Sequence, residues 1–165
     1  MIQSVQPTAN RPSRRGISDL HRLARFEWVQ NSYSLLDRSA EREMLPLCAD
    51  QRVGFTAFSP LAGGWLTGKY RAKQPHPEGS RMTLLPEPYL HLDRERVYRG
   101  LDLLAEAARA RGVSIDALAL AWVLHCSEVN VAILGPRTPA QLASALAATD
   151  IVLSASEAAA LAAPF

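Results

Sequence analysis

The segment at residues 55–70 limits the possible folds of this chain most, because an apolar strand-like run opens directly into a glycine-rich loop that ends in a lysine. It reads FTAFSPLAGGWLTGKY. Glycines let backbone N–H groups approach a phosphate closely, and Lys69 supplies a positive charge beside them. The segment therefore predicts an anion site that follows a strand. The alternative is that the glycines only turn the chain and Lys69 is solvated.

Strand and helix patterns alternate along the chain. Apolar or alternating runs predict short strands at residues 26–30, 53–58 and 129–134. Apolar spacing and cap residues predict helices at residues 40–50, 93–111 and 115–126, and after Thr138 and Ser154. Residues 73–88 are rich in proline and polar residues, which predicts a long loop able to cover a bound ligand. The alternation favours βα units and a parallel sheet.

Three blocks of the sequence resemble the aldo-keto reductase family, and they occur in the family's order. The first is VQNSYSLLDR at residues 29–38, together with Glu41. The second is the segment at residues 55–70, and the third is ILGPRTPAQL at residues 133–142. The resemblance is nearly continuous over residues 26–161. Its loop pattern is most similar to the potassium-channel β-subunit-like and bacterial oxidoreductase branch of the family.

The resemblance implies part of a barrel. A closed (β/α)8 TIM barrel needs roughly 250 residues, and about 200 at least, whereas this chain has 165. We therefore expect an α/β fold that is a partial (β/α)8 TIM barrel, with the C-terminal strands and helices only. Residues 17–165 would form this C-terminal portion, and the polar, basic residues 1–16 would form a disordered tail.

The resemblance also implies an NADP(H) site, since the family interconverts carbonyls and alcohols by hydride transfer with a nicotinamide cofactor. Gln30 would meet the nicotinamide carboxamide, and Phe58 would stack on the nicotinamide ring. Ser59 and the backbone after it would contact the pyrophosphate, with charge from Lys69 and Arg81. The expected cofactor-binding residues are Gln30, Phe58, Ser59, Pro60, Leu61, Ala62, Gly64, Lys69, Arg81, Gly135, Arg137 and Gln141.

Several of these positions have a simpler explanation that the sequence leaves open. A lone aromatic such as Phe58 is more often a core residue, Gln30 can bond to neighbouring backbone, and a loop arginine such as Arg81 is usually solvated. Arg137 would favour NADP over NAD if it bound a 2′-phosphate, but it can equally be an ordinary exposed arginine. Gln141 can contact adenosine or cap its own helix.

The adenosine end departs from the family pattern. Relatives usually carry a glutamate and an asparagine on the final helix, whereas this chain has Ser144 and Ala145 at the matching positions. Because alanine cannot hydrogen-bond an adenine, the resemblance does not imply tight binding of the adenosine.

No catalytic residue and no metal ligand is predicted. The family uses a tyrosine, a lysine, an aspartate and a histidine from the first half of its barrel, and no counterpart of that set is found at family spacing. His125, which ends an apolar helix, is expected to be a capping or core histidine. We therefore expect the cofactor-binding C-terminal part of an NADP(H)-dependent aldo-keto reductase, inactive as this chain alone. The alternatives are a nucleotide-binding regulatory module and a non-functional truncated fragment.

Composition narrows the choice of partners and compartment. With 48% hydrophobic and 21% charged residues the chain is globular, and a net charge of +2 is too small to indicate nucleic acid. Cys48 and Cys126 lack metal or redox spacing, so we expect buried thiols in a reducing compartment. No apolar run of transmembrane length and no secretory signal is found, so a cytoplasmic protein without membrane partners is expected.

The expected partners are a nicotinamide dinucleotide and whatever completes the barrel. An open barrel edge exposes strand backbone and apolar side chains, which promote association. A complementing N-terminal half-barrel and self-association are both compatible with the sequence.

Overall fold

A computed structural model of the chain describes residues 14–165. Its helices and strands are, in chain order, α1 (Arg14–Leu20), β1 (Trp28–Ser32), α2 (Met44–Gln51), β2 (Gly54–Phe58), α3 (Arg81–Leu84), α4 (Glu95–Ala110), α5 (Ile115–His125), β3 (Val129–Ala132), α6 (Pro139–Ala147) and α7 (Ala155–Ala162). Short 3-10 helices lie at Ser39–Glu41, Ala62–Thr67, Glu87–Leu92 and Ala148–Asp150. None of the helices in residues 14–165 is long and apolar enough to cross a membrane.

The tail predicted at residues 1–16 lies mostly outside the described residues. Only residues 14–16 fall within them, and they form the start of helix α1.

The three strands form one parallel sheet in the order β1-β2-β3, as the strand and helix alternation predicts. Strands β1 and β2 pair in register over their whole length, from Trp28 opposite Gly54 to Ser32 opposite Phe58. The strands begin and end within about two residues of the predicted bounds.

A bulge interrupts the pairing of β2 with β3. Phe55 lies opposite Val129, whereas Thr56 lies opposite Val131, so Asn130 is an extra residue on β3. The Asn130 side chain compensates for the interrupted ladder, because its Oδ1 accepts a hydrogen bond of 2.8 Å from the N–H of Phe55.

One face of the sheet is buried and the other is open. Phe55 and Ala57 are fully buried in the same core as residues 117–123 of α5, a helix that is apolar nearly all round. Within the described residues the opposite face is uncovered, and it exposes Trp28, Phe58 and Val131. A parallel sheet with one helix-covered face and one open apolar face resembles part of a barrel wall.

Two predicted segments differ from the structure. The helix predicted at residues 40–50 begins only at Met44, after the 3-10 turn at Ser39–Glu41. This start places Pro46 in the first helical turn, where a missing N–H is harmless, whereas the predicted start would have placed it in the helix interior. The predicted loop at residues 73–88 contains helix α3 and the start of the 3-10 helix Glu87–Leu92. We call residues 71–92 the flap.

Candidate functional site

The carboxyl ends of the three strands lie side by side. The carbonyl of Phe58 accepts a hydrogen bond of 3.3 Å from the N–H of Tyr33, just after β1. The carbonyl of Ala57 accepts one of 2.8 Å from the N–H of Ile133, just after β3. In βα barrels this edge carries the functional groups. Phe58, the last residue of β2, exposes its side chain here and is not a core residue.

A strained turn follows Phe58 directly, and we call residues 59–64 the glycine turn. Ser59 and Ala62 adopt left-handed backbone conformations, with φ of 52° and 47°, although neither is glycine. Gly63 and Gly64 continue in positive φ, at 64° and 93°. Non-glycine residues held in this region cost of order 1–2 kcal/mol each, and such strain is concentrated at functional sites.

Lys69 lies over the glycine turn. A Cβ built on Gly64 would lie 2.5 Å from the Lys69 Nζ, so the absence of a side chain at Gly64 is what admits the ammonium group. Lys69 is exposed, and no carboxylate of the described residues lies within ion-pair distance of it. The structure therefore places the Lys69 ammonium beside the glycines, at a position that an anion can reach.

Two backbone N–H groups of the glycine turn donate hydrogen bonds to carbonyls of the same turn. The N–H of Ala62 donates to the carbonyl of Ser59 (2.8 Å), and the N–H of Gly64 donates to the carbonyl of Leu61 (2.9 Å). Within the turn, the side chains of Pro60 and Ala62 are buried. Two of the amides expected to meet a pyrophosphate thus already have acceptors, and the Lys69 ammonium is the more available donor.

Gln30 lies in the middle of β1 and not at the strand end where we expected it. It is opposite Thr56, its side chain is exposed, and it is on the same open face of the sheet as Phe58. The strand end shifted because pairing with β2 extends β1 to Ser32.

Arg81 is the first residue of α3, and the backbone next to it is tied to the glycine turn. The N–H of Met82 donates to the Tyr70 hydroxyl (3.3 Å), which in turn donates to the carbonyl of Gly63 (3.4 Å). Arg81 itself is exposed. The structure therefore brings its helix to the turn.

The residues after β3 are engaged in capping helix α6. The Gln141 Oε1 accepts a hydrogen bond of 2.7 Å from the N–H of Arg137, and the N–H of Gln141 donates to the Thr138 Oγ1. This geometry matches the capping explanation for Gln141. Gly135 lies three residues past the end of β3 and is exposed, as is Arg137.

Ser144, at the other adenosine position, is also engaged. Its hydroxyl donates to the Asp116 Oδ2 (2.7 Å) and lies 2.8 Å from the Ser114 hydroxyl. Together with Ala145, these contacts leave few free polar groups for an adenine on α6.

A polar cluster behind β1 was not predicted. Glu41 accepts hydrogen bonds from the Arg38 Nε and Nη2 (2.8 Å each) and from the Tyr33 hydroxyl (3.0 Å). The Arg38 guanidinium holds the pKa of the Glu41 carboxyl below its ordinary value, and burial raises the pKa of Tyr33 above its own. Tyr33 therefore stays protonated as a donor to Glu41.

The polar cluster borders a small cavity. A cavity of about 160 Å³ beside it is lined in part by Tyr33, Arg38, His125 and Cys126. His125 is exposed at the end of α5, so it is not a core histidine, whereas its place in the last helical turn is compatible with the capping alternative. Cys126 is only partly buried, unlike Cys48, and burial raises the pKa of both thiols, which lowers their reactivity.

Sequence reasoning also missed Tyr89, which contacts the glycine turn from the flap. A single tyrosine in a proline-rich polar segment belongs to no periodic pattern, so nothing local in the sequence singles it out.

Comparisons with known proteins find similar sequences and a similar fold. A family model described as the aldo/keto reductase family matches residues 10–163. The chain is 34% identical over 134 residues to an NADH-specific methylglyoxal reductase of Escherichia coli, covering 79% of the chain and 39% of that protein. It is 34% identical over 128 residues to a probable voltage-gated potassium channel subunit beta of Arabidopsis thaliana, covering 74% of the chain and 38% of that protein.

The fold is similar to that of a solved structure. The glycerol dehydrogenase of Gluconobacter oxydans superposes with a TM-score of 0.74 at 24% identity, over 90% of this chain and 45% of that one. The chain thus spans less than half the length of each of these similar proteins.

Proposed function

The chain belongs to the aldo/keto reductase family of oxidoreductases, and from that premise we propose that it carries the dinucleotide-binding part of an NADP(H)-dependent carbonyl and alcohol oxidoreductase. The observation that supports this most is the position of the Lys69 ammonium over Gly64, in the loop that follows β2 and its exposed last residue, Phe58. A cation over a glycine turn, with no carboxylate partner among the described residues, suits a phosphate group.

The residues of the site fit one end of a dinucleotide better than the other. Phe58 offers an exposed aromatic face and Gln30 an exposed amide on the same face of the sheet, which suits a nicotinamide and its carboxamide. Lys69 suits the pyrophosphate. At the adenosine end, Gln141 and Ser144 are engaged with other protein groups. When bound, a nicotinamide cofactor supplies hydride chemistry, and these residues would orient it.

We propose further that the 165 residues alone bind the cofactor without turning it over. The family's tyrosine, lysine, aspartate and histidine find no counterpart by motif, and the chain spans 38% and 39% of two similar proteins. The open face of the sheet, with Trp28, Phe58 and Val131, would then be covered by a complementing half-barrel or by self-association.

Substitution of Lys69 tests the cofactor site. We expect the full chain to bind NADPH saturably, and Lys69→Ala to weaken binding by about tenfold, the loss of one charge-assisted hydrogen bond. The measurement is a titration followed by nucleotide fluorescence. Arg99→Ala is the matched control, since Arg99 is an exposed cation on α4 whose ion pair with Glu95 is long, at 3.8 Å.

Two results would count against the proposed site. If the wild type and Lys69→Ala bind NADPH with equal affinity, Lys69 is not part of the site. If Arg99→Ala loses as much affinity as Lys69→Ala, the loss is explained by the change in net charge. Size-exclusion chromatography of the same samples reports whether the open face drives self-association.

Cofactor choice is tested at Arg137. If its exposed guanidinium binds a 2′-phosphate, Arg137→Ala weakens NADPH binding about tenfold and leaves NADH binding unchanged. One similar protein is named as NADH-specific, so both nucleotides are titrated into each variant. An equal effect of Arg137→Ala on both nucleotides, or no effect on either, contradicts a role in NADP recognition.

A nucleotide-binding regulatory module is the second candidate. The observation that favours it is the similarity to a protein named as a potassium channel subunit beta. Binding of NADPH without its oxidation when an aldehyde is added supports this candidate or a part of a larger enzyme. Oxidation by the chain alone contradicts it. The third alternative, a non-functional fragment, predicts no saturable binding.

A further inference from the structure

The two glycines of the glycine turn are covered by different side chains. Gly64 lies under the Lys69 ammonium. Gly63 lies under the ring of Tyr89, since a Cβ built on Gly63 would lie 2.6 Å from the Tyr89 Cζ and 2.9 Å from its Cε1. The ring therefore packs directly on the backbone that the missing side chain leaves accessible. A phosphate approaching this part of the turn meets a cation at Gly64 and a phenol ring at Gly63.

The contact of Tyr89 with the turn is a weak one. Its hydroxyl lies 3.4 Å from the Ser59 Oγ, at the long end of hydrogen-bond geometry. Tyr89 is only partly buried, and its neighbour Leu90 in the same 3-10 helix is exposed. Displacing the ring breaks this long hydrogen bond and the packing of the ring on the turn and on the edge of the core.

The rest of the flap is held more firmly. The Tyr70 hydroxyl joins the carbonyl of Gly63 to the N–H of Met82 in α3, and both Tyr70 and Met82 are buried. His76 packs edge-on against the rings of Tyr70 and Trp65, with centroids 5.2 Å and 6.2 Å away. The Tyr89 side chain is thus held less firmly than the centre of the flap, although Leu92, at the end of the same 3-10 helix, is buried.

We propose that Tyr89 is an autoinhibitory residue of the dinucleotide site: its ring occupies the Gly63 side of the glycine turn and must be displaced before a pyrophosphate binds there. This inference rests on the proposed function. Because ring and phosphate compete for the same backbone, only the fraction of molecules with Tyr89 displaced is competent to bind, and the apparent affinity is reduced by that fraction. Tyr89 acts here through competition and not as a contact of the bound cofactor.

The test compares NADPH binding by the wild type, Tyr89→Ala and Tyr89→Phe in the full chain. Tyr89→Ala is expected to tighten binding by about threefold to tenfold, mainly through faster association, because it removes a contact of the size of one weak hydrogen bond and its packing. Tyr89→Phe, which keeps the ring and loses the hydroxyl contact with Ser59, is expected to give a smaller gain. Leu90→Ala is the matched control and should bind as the wild type does.

The opposite sign overturns the inference. If Tyr89 contacts the bound cofactor, Tyr89→Ala weakens binding and speeds dissociation. Unchanged affinity in both Tyr89 variants overturns it as well. Binding by the wild type with weaker binding by Tyr89→Ala rejects this inference alone, whereas no binding by any variant rejects the proposed function with it.

Amide hydrogen exchange gives a second readout that a merely structural role would not produce. Addition of NADPH to the wild type should increase exchange at residues 87–92, because the segment that carries Tyr89 is displaced. Protection of these residues by NADPH would contradict displacement and indicate that the flap closes on the ligand.

Discussion

Replacing Trp65 with alanine is expected to lower the free energy of unfolding by about 3–5 kcal/mol. Trp65 is fully buried within the 3-10 helix Ala62–Thr67, directly after the last residue of the glycine turn. Its ring packs against those of Tyr70 and Tyr98, with centroids 4.9 Å and 5.5 Å away, and against His76 of the flap. Alanine would leave a cavity between the rings of Tyr70, Tyr98 and His76, and these rigid rings cannot move together to fill it. Since whole domains are stable by only about 5–15 kcal/mol, the loss would be a large part of the total.

Urea denaturation followed by circular dichroism measures this effect, and Trp65→Phe is the informative comparison. The Trp65 Nε1 is buried and has no hydrogen-bond partner among the described residues. Phenylalanine keeps most of the ring and removes that unpaired donor, so we expect it to lose less than half of what alanine loses. Equal losses in the two variants would mean that the indole N–H makes a stabilising bond, contrary to the geometry.

The Trp65→Ala variant also bears on the site. Trp65 lies in the same 3-10 helix as Gly63 and Gly64, and its ring packs against His76 of the flap. We therefore expect the variant to lose NADPH binding even under conditions in which it remains folded. Trp65→Phe should keep it.

Features set by neighbouring residues could be predicted from the sequence. The caps are the clearest case, since the Ser114 Oγ accepts from the N–H of Ala117 and the Ser154–Glu157 capping box forms as the spacing predicts. The continuous apolar character of α5 likewise predicted its burial. These are one-turn or one-helix properties, and no distant contact decides them.

Features that depend on residues distant in the sequence could not be predicted in this way. The position of Gln30 within β1 depends on how far that strand pairs with β2, and the start of α2 depends on where Pro46 is tolerated. In the site, the cation at Lys69 was predictable because it lies five residues after Gly64 in one loop. The Tyr89 ring over Gly63 was not, because Tyr89 lies 26 positions after Gly63 in the sequence.

Asn130 also acts through a residue that is distant in the sequence, and its replacement is the second change expected to lower the free energy of unfolding strongly. Its Oδ1 accepts the N–H of Phe55, a fully buried residue 75 positions away, at the bulge between β2 and β3. Asn130→Leu removes this acceptor and leaves a backbone donor unsatisfied next to the core. We expect the free energy of unfolding to fall by about 1–3 kcal/mol.

Asn130→Asp is the matched control, because it keeps an oxygen at the same position and the side chain is exposed enough to carry a charge. It should retain most of the stability in a urea titration, and the amide of Phe55 should stay protected from hydrogen exchange in it but not in Asn130→Leu. Similar stability in the two variants would show that the bulge does not depend on this bond.

The bulge also affects the candidate site, because it sets how β3 lies beside β2 and therefore where Gly135 and Arg137 lie relative to Phe58 and the glycine turn. Loss of the Asn130 bond should therefore weaken nucleotide binding as well as the fold.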